Sequence, residues 1–110
     1  MVSWKDVVAF ATELPEVEES TSYNTPALKV NGKSFARLRT EAEGGLVLPC
    51  GSDEKEALLA SGDPAFYTTP HYDGDGAILV DLDKVDEVQL HELIEESWLR
   101  KAPARAKKRR

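Results

Sequence analysis

The stretch Pro26-Ala-Leu-Lys-Val30, Asn31-Gly32, Lys33-Ser-Phe-Ala-Arg-Leu-Arg39 decides the fold class. Two short runs of strand type flank a pair of residues that both tolerate positive φ, which is what a type I′ turn requires. The pattern predicts an antiparallel hairpin with Leu28 opposite Phe35. Strict alternation then sends Leu38 to the face opposite Phe35, so the two large apolar residues of the second strand compete for the core. A lone hairpin is marginal in water and needs further strands or a helix against one face. The flanking sequence supplies both.

On the N-terminal side, Ser3 and Asp6 mark a helix start, and Trp4, Val7, Val8, Ala11 and Leu14 follow helical spacing until Pro15 closes the run. Residues 16–24 are polar and read as a loop leading into an extended segment. On the C-terminal side, residues 41–45 form a turn before Leu46-Val47-Leu48, a buried strand ended by Pro49. Ser52 or Asp53 caps a short helix that Gly62 stops, and residues 63–70 read as mixed loop and short strand. After a turn at residues 71–76, Ala77-Ile78-Leu79-Val80-Asp81-Leu82 reads as a central strand. Asp86 with Gln89 makes a capping box for a last helix with Val88 or Leu90, Leu93, Ile94, Trp98 and Leu99 on one face, ended by Pro103. This order predicts an α+β domain with an antiparallel β-sheet and helices packed on one side.

The chain has 110 residues, 41% hydrophobic and 31% charged, which fits one folded domain over residues 1–100. No apolar run approaches the ~18–20 residues needed to cross a membrane. Asp6 and the lack of a small-residue cleavage site argue against a secretory signal, and the single Cys50 makes no internal disulfide. A cytoplasmic monomer is expected.

Catalytic and metal chemistry find little support. In the turn Asp73-Gly74-Asp75-Gly76, the third oxygen ligand of a calcium loop would fall on Ala77, and the twelfth position holds Lys84. His71 and His91 lack the helical i, i+4 partner of a zinc hydrolase. His71 is expected to hydrogen-bond structurally, and His91 to lie on the solvated face of the last helix. Cys50 reads as a passive, semi-buried thiol. No phosphate-cradling glycine loop is present, and acidic pairs such as Glu18-Glu19 and Glu95-Glu96 read as solvated surface. No enzyme activity, cofactor or metal is expected.

Charge is zoned. The net charge of −6 combines −4 over residues 1–19, +4 over residues 20–40, −13 over residues 41–99 and +7 over residues 100–110. The acidic body opposes broad contact with nucleic acid. Anion contact is therefore confined to the hairpin cations Lys29, Lys33, Arg37 and Arg39 and to a basic tail over residues 101–110, read as disordered, with Arg105, Lys107, Lys108, Arg109 and Arg110. Strand-edge cations also serve simply to discourage edge-to-edge pairing.

Several segments taken together resemble the MmcQ/YjbR family. They are Leu14-Pro15-Glu16-Val17-Glu18-Glu19, then Thr21-Ser22-Tyr23-Asn24-Thr25-Pro26-Ala27-Leu28-Lys29-Val30 and Gly32-Lys33-Ser34-Phe35-Ala36-Arg37-Leu38. The turn Thr69-Pro70-His71-Tyr72 and the terminal helix running to Trp98 and Ala102-Pro103 extend the match over residues 3–103. Asn24 stands where the family usually has glycine, Leu28 where an aromatic is common, and Asp75-Gly76 where a more apolar stretch precedes the strand. The basic tail is an addition.

The resemblance implies a CyaY-like α+β domain. Family members are commonly labelled DNA-binding because of a double-wing arrangement around the sheet. The positions matching family motifs are Tyr23, Thr25, Pro26, Lys29, Gly32, Lys33, Phe35, Arg37, Pro70, His71 and Tyr72. Pro26, Gly32, Phe35 and Pro70 suit backbone and packing roles. The expected function is weak, non-sequence-specific DNA binding through the 29–39 hairpin and the tail. The alternative is a protein or small-ligand interaction domain with no nucleic-acid role, using the groove between the hairpin and the 71–72 loop, with Tyr23, His71 and Tyr72 on its surface.

Overall fold

The computed structural model of the chain describes residues 2–22, 25–39, 45–70, 72 and 76–108. Its elements run α1 (Trp4–Ala11), β1 (Val17–Ser22), β2 (Thr25–Val30), β3 (Lys33–Leu38), β4 (Leu46–Pro49), α2 (Ser52–Ala60), β5 (Phe66–Tyr67), β6 (Ala77–Val80), α3 (Glu87–Lys101) and α4 (Ala104–Lys108). The strands form one sheet in the order β1-β2-β3-β4-β6-β5, every neighbouring pair antiparallel. The α+β architecture matches the expectation from sequence.

The turn forms as its residues require, with Asn31 at φ 53° and Gly32 at φ 76°. The pairing inside the hairpin differs from simple alternation. Leu28 faces Ala36 rather than Phe35, and the register shifts between Leu28 and Lys29, where the partner changes from Ala36 to Ser34. Phe35 is thus an extra residue in β3, a β-bulge. The bulge removes the competition between Phe35 and Leu38, since both now belong to the same core. Beside the bulge, the Ser97 hydroxyl donates to the Phe35 carbonyl at 2.6 Å. A buried polar group is satisfied across two layers, and α3 is pinned to β3 there.

The main core lies between one sheet face and α1 with α3. It holds Leu28, Val30, Phe35, Leu46, Leu48, Ile78 and Val80 from the sheet, Val7 and Ala11 from α1, and Leu90, Ile94 and Trp98 from α3. Val88, offered by sequence as a face residue of the last helix, is 67% exposed. α1 and α3 begin at the expected residues, α3 with only the Asp86 half of its capping box. Ser3 and Asp6 form a reciprocal capping box, and the Asp86 side chain accepts from the Gln89 N–H at 3.0 Å. In contrast, α2 has Gly51 at its N-cap with no side-chain cap, so neither Ser52 nor Asp53 caps it.

Two further expectations change. The polar stretch read as a loop contains β1, because an edge strand is held through main-chain pairing to β2 and needs few apolar side chains. The tail read as disordered continues α3 to Lys101 and then forms α4. Ala102 and Ala106 are buried in the main core. Arg109 and Arg110 lie outside the described residues.

Gly45 precedes β4 at φ 88°, and its carbonyl accepts the Arg39 N–H at 3.1 Å. A Cβ there would run into the Tyr67 hydroxyl. Gly32 is also left-handed but has open space around the corresponding position. Gly45→Ala is therefore expected to lose about 2–3 kcal/mol and Gly32→Ala about 1 kcal/mol, from backbone strain with and without a clash. Urea denaturation of the two variants checks the difference.

Candidate functional site

The sheet face turned away from α1 and α3 carries the hairpin cations. Cross-strand partners share a face, and the register aligns Ala27, Arg37, Val47, Leu79 and Tyr67 in one row across five strands. A second, smaller apolar cluster of Val47, Tyr72, Ala77 and Leu79, with Tyr67 against it, covers this row. Lys29 pairs with Glu18 on one side and Ser34 on the other, which places it on the same face as Arg37. Arg39, two residues past Arg37, follows. Lys33 pairs with Val30 on the opposite face beside the turn and is exposed. The four hairpin cations are thus three plus one.

Tyr72 organises that face. Its hydroxyl accepts from the Arg37 guanidinium at 2.7 Å, its ring lies 5.7 Å from the guanidinium carbon of Arg39, and its carbonyl accepts from Lys55 Nζ. Only 8% of Tyr72 and 7% of Lys55 are exposed. Tyr72 thus links the hairpin to α2 on this face. Lys55 is the residue that reading the sequence for sites missed. Its helical neighbours gave no signal, since Leu58 is half-buried and Leu59 exposed. Tyr23 and His71 lie outside the described residues, as do Asp73 and Asp75 of the turn considered for calcium.

The basic tail meets the other end of the hairpin. Arg105 donates to Glu16 at 2.9 Å, while Glu16 adopts φ 59° just after Pro15, whose carbonyl accepts from Trp98 Nε1 at 3.1 Å. A cleft of about 460 Å³ is lined by Glu16, Val17, Glu18, Asn31, Gly32 and Arg105. The hairpin turn and α4 are therefore neighbours, and Lys107 and Lys108 are exposed on α4. Arg105 is engaged with an acid, whereas Lys33, Lys107 and Lys108 face solvent.

His91 is not on a solvated face. Its ring stacks on Phe10 with centroids 3.9 Å apart, and it is half-buried between α1 and α3. Cys50 is buried. Its thiol is pushed up by burial first and by the Glu54 charge second, with Lys55 and Arg100 opposing, which suits a passive thiol. Among the described residues no group of three His, Cys, Asp or Glu side chains is arranged to hold a metal ion, and no helix is long and apolar enough to cross a membrane.

Glu54 of α2 meets Glu96 of α3. Burial raises the Glu54 pKa most; the Glu96 charge and a hydrogen bond with Glu96 raise it further, and Arg100 opposes. A carboxyl raised in the folded state stabilises the fold fully below its unfolded value of about 4.5 and loses that contribution as pH rises through the folded value. Glu54→Gln is therefore expected to melt higher than wild type at pH 7, with the gap closing toward pH 4. Thermal melts across that window read it directly.

The chain is similar to several known proteins. "Uncharacterized protein Mb2600" of Mycobacterium bovis and "Uncharacterized protein Rv2570" of Mycobacterium tuberculosis are each 32% identical over 117 aligned residues, covering 94% of this chain and 91% of theirs. The crystal structure of Deinococcus radiodurans protein DR2400, described as a DUF419 domain, matches with a TM-score of 0.75 at 25% identity, over 90% of this chain and 78% of that one. A family model described as YjbR matches residues 12–100. That span runs from the C-cap of α1 to the last turn of α3, takes in the whole sheet with its cationic hairpin, and leaves α4 outside. The chain belongs to the YjbR family.

Proposed function

We propose that this YjbR-family domain binds the phosphate backbone of nucleic acid, weakly and without sequence preference, where the hairpin turn meets α4. It is a binding module that carries out no reaction and acts as a cytoplasmic monomer. One observation carries the reading: Arg105 and the Asn31-Gly32 turn line a single cleft. That contact brings exposed Lys33, Lys107 and Lys108 to one end of the molecule. The rest of the body repels a polyanion, so contact is focused there rather than spread.

Few contacts and low affinity go together. Each phosphate neutralised on duplex DNA adds about −0.9 to the slope of log K against log salt. Three exposed lysines with support from the hairpin face predict a slope of about −3 to −5. Fluorescence anisotropy with a labelled duplex, titrated at several salt concentrations between about 50 and 200 mM, measures it. Absence of binding at the lowest salt would remove the proposal.

A further inference from the structure

The cleft at the hairpin turn carries a charge that phosphate binding alone does not need. Lys33 follows the turn that lines it, and exposed Lys107 and Lys108 lie on the same helix as Arg105. Yet the lining also holds two acids, Glu16 and Glu18. Glu16 is engaged, its Oε1 accepting from Arg105 at 2.9 Å. Glu18 is exposed on the edge strand. An ionised carboxylate accepts hydrogen bonds and donates none. It repels a phosphate and holds only a group that brings a proton of its own.

A nucleic-acid strand offers few such donors. Base N–H groups change from one nucleotide to the next, and the linking phosphates only accept. The ribose 2′-hydroxyl is the donor repeated at every nucleotide, and deoxyribose lacks it. We propose that this cleft takes one ribonucleotide unit, its phosphate on the neighbouring lysines and its 2′-hydroxyl donating to the Glu18 carboxylate, so that the domain prefers RNA to DNA of the same sequence. At about 460 Å³ the cleft lies within the ~300–1,000 Å³ of small-ligand pockets. The preference rests on the phosphate binding proposed above and names the nucleic acid it serves; a free ribonucleotide presents the same sugar and phosphate.

Fluorescence anisotropy of the full chain with two labelled single strands reads the preference. One is a short mixed-sequence RNA, the other a DNA of the same length and sequence with uracil in place of thymine. RNA is expected to bind about ten-fold tighter, the worth of one hydrogen bond to a charged group. The salt slopes should agree, because both strands share the phosphate contacts. Glu18→Ala removes a negative charge and so tightens both strands. The RNA-to-DNA ratio cancels that effect and is expected to fall to within about two-fold of unity. Glu19→Ala removes the same charge one residue along, where Glu19 pairs with Leu28 on the opposite face of β1, and should keep the wild-type ratio.

Equal affinity of wild type for the two strands overturns the sugar contact and leaves the phosphate-binding module standing. A preference that Glu18→Ala leaves unchanged, or that Glu19→Ala abolishes as fully, does the same. Failure to bind either strand or duplex DNA at the lowest salt removes the module and the preference together. Adenosine 5′-phosphate and its 2′-deoxy form, used as unlabelled competitors against the RNA, separate the two sources of ligand. Displacement by the ribonucleotide alone extends the cleft to free nucleotides, and displacement by neither confines it to a strand. Equal displacement by both overturns the role given to Glu18.

Discussion

Trp98→Ala is expected to remove about 4–5 kcal/mol of stability, the sum of a buried aromatic truncated to a methyl and a hydrogen bond left unmade. Trp98 is fully buried and is among the largest buried side chains in the chain. It belongs to the core that joins α3 to α1 and to α4. Its indole N–H reaches the Pro15 carbonyl at 3.1 Å, so the truncation leaves both a cavity and an orphaned acceptor beside the Glu16 bend. A domain of this size has a total stability of about 5–15 kcal/mol, and the variant consequently lies near the edge of folding. Urea denaturation followed by far-UV circular dichroism reads the change without relying on tryptophan fluorescence. Trp98→Phe refills most of the volume, loses only the N–H, and is expected to cost about 1–2 kcal/mol. A Trp98→Ala loss below about 2 kcal/mol would contradict this packing.

The same tryptophan shows which parts of the fold the chain's pattern reveals. Trp98, Ala102 and Ala106 recur every four residues, a helical stripe that continues through Pro103 into α4. Composition obscured it: seven basic residues in the last eleven look like a solvated tail, although the alanines between them are what the core sees. β1 was hidden for the opposite reason. Its sequence, Val17-Glu-Glu-Ser-Thr-Ser22, offers one apolar residue, and an edge strand is defined by the partner that receives its main-chain bonds. The bulge at Phe35 was visible only as a conflict. Phe35 and Leu38 could not both face the core under strict alternation, and one extra residue resolves it.

The candidate site divides in the same way. The positive charge of the hairpin is plain from residues 20–40, and alternation puts Lys29 and Arg37 on one face once the pairing is known. That Arg37 and Arg39 turn inward to Tyr72 depends on a contact 35 positions along the chain, which local pattern does not encode. Lys55 escaped notice because a lysine in a helix of acids suggests solvent, whereas this one reaches the carbonyl of the same tyrosine.

Reversing Lys33, Lys107 and Lys108 to glutamate is expected to weaken duplex binding at least about 100-fold at low salt and to flatten the salt slope by about 2.7, three contacts at 0.9 each. The three are exposed, and none forms part of the core, so the fold should persist. Ala106 keeps its seat and Arg105 keeps Glu16. The substitutions move the net charge from −6 to −12, which alone would weaken association with any polyanion. A Lys5→Glu/Lys84→Glu protein separates the two effects. Lys5 and Lys84 are also exposed, but they lie on α1 and in the turn after β6, outside the cleft at the hairpin. That control is expected to lose no more than about three-fold in affinity and to keep its slope, because long-range repulsion is screened beyond about 10 Å at 0.1 M salt. If the triple variant binds as well as this control, contact with the phosphate backbone lies elsewhere on the protein. If it loses both affinity and slope, the hairpin turn and α4 act as one surface, and the buried alanines of the tail are what hold its lysines in place.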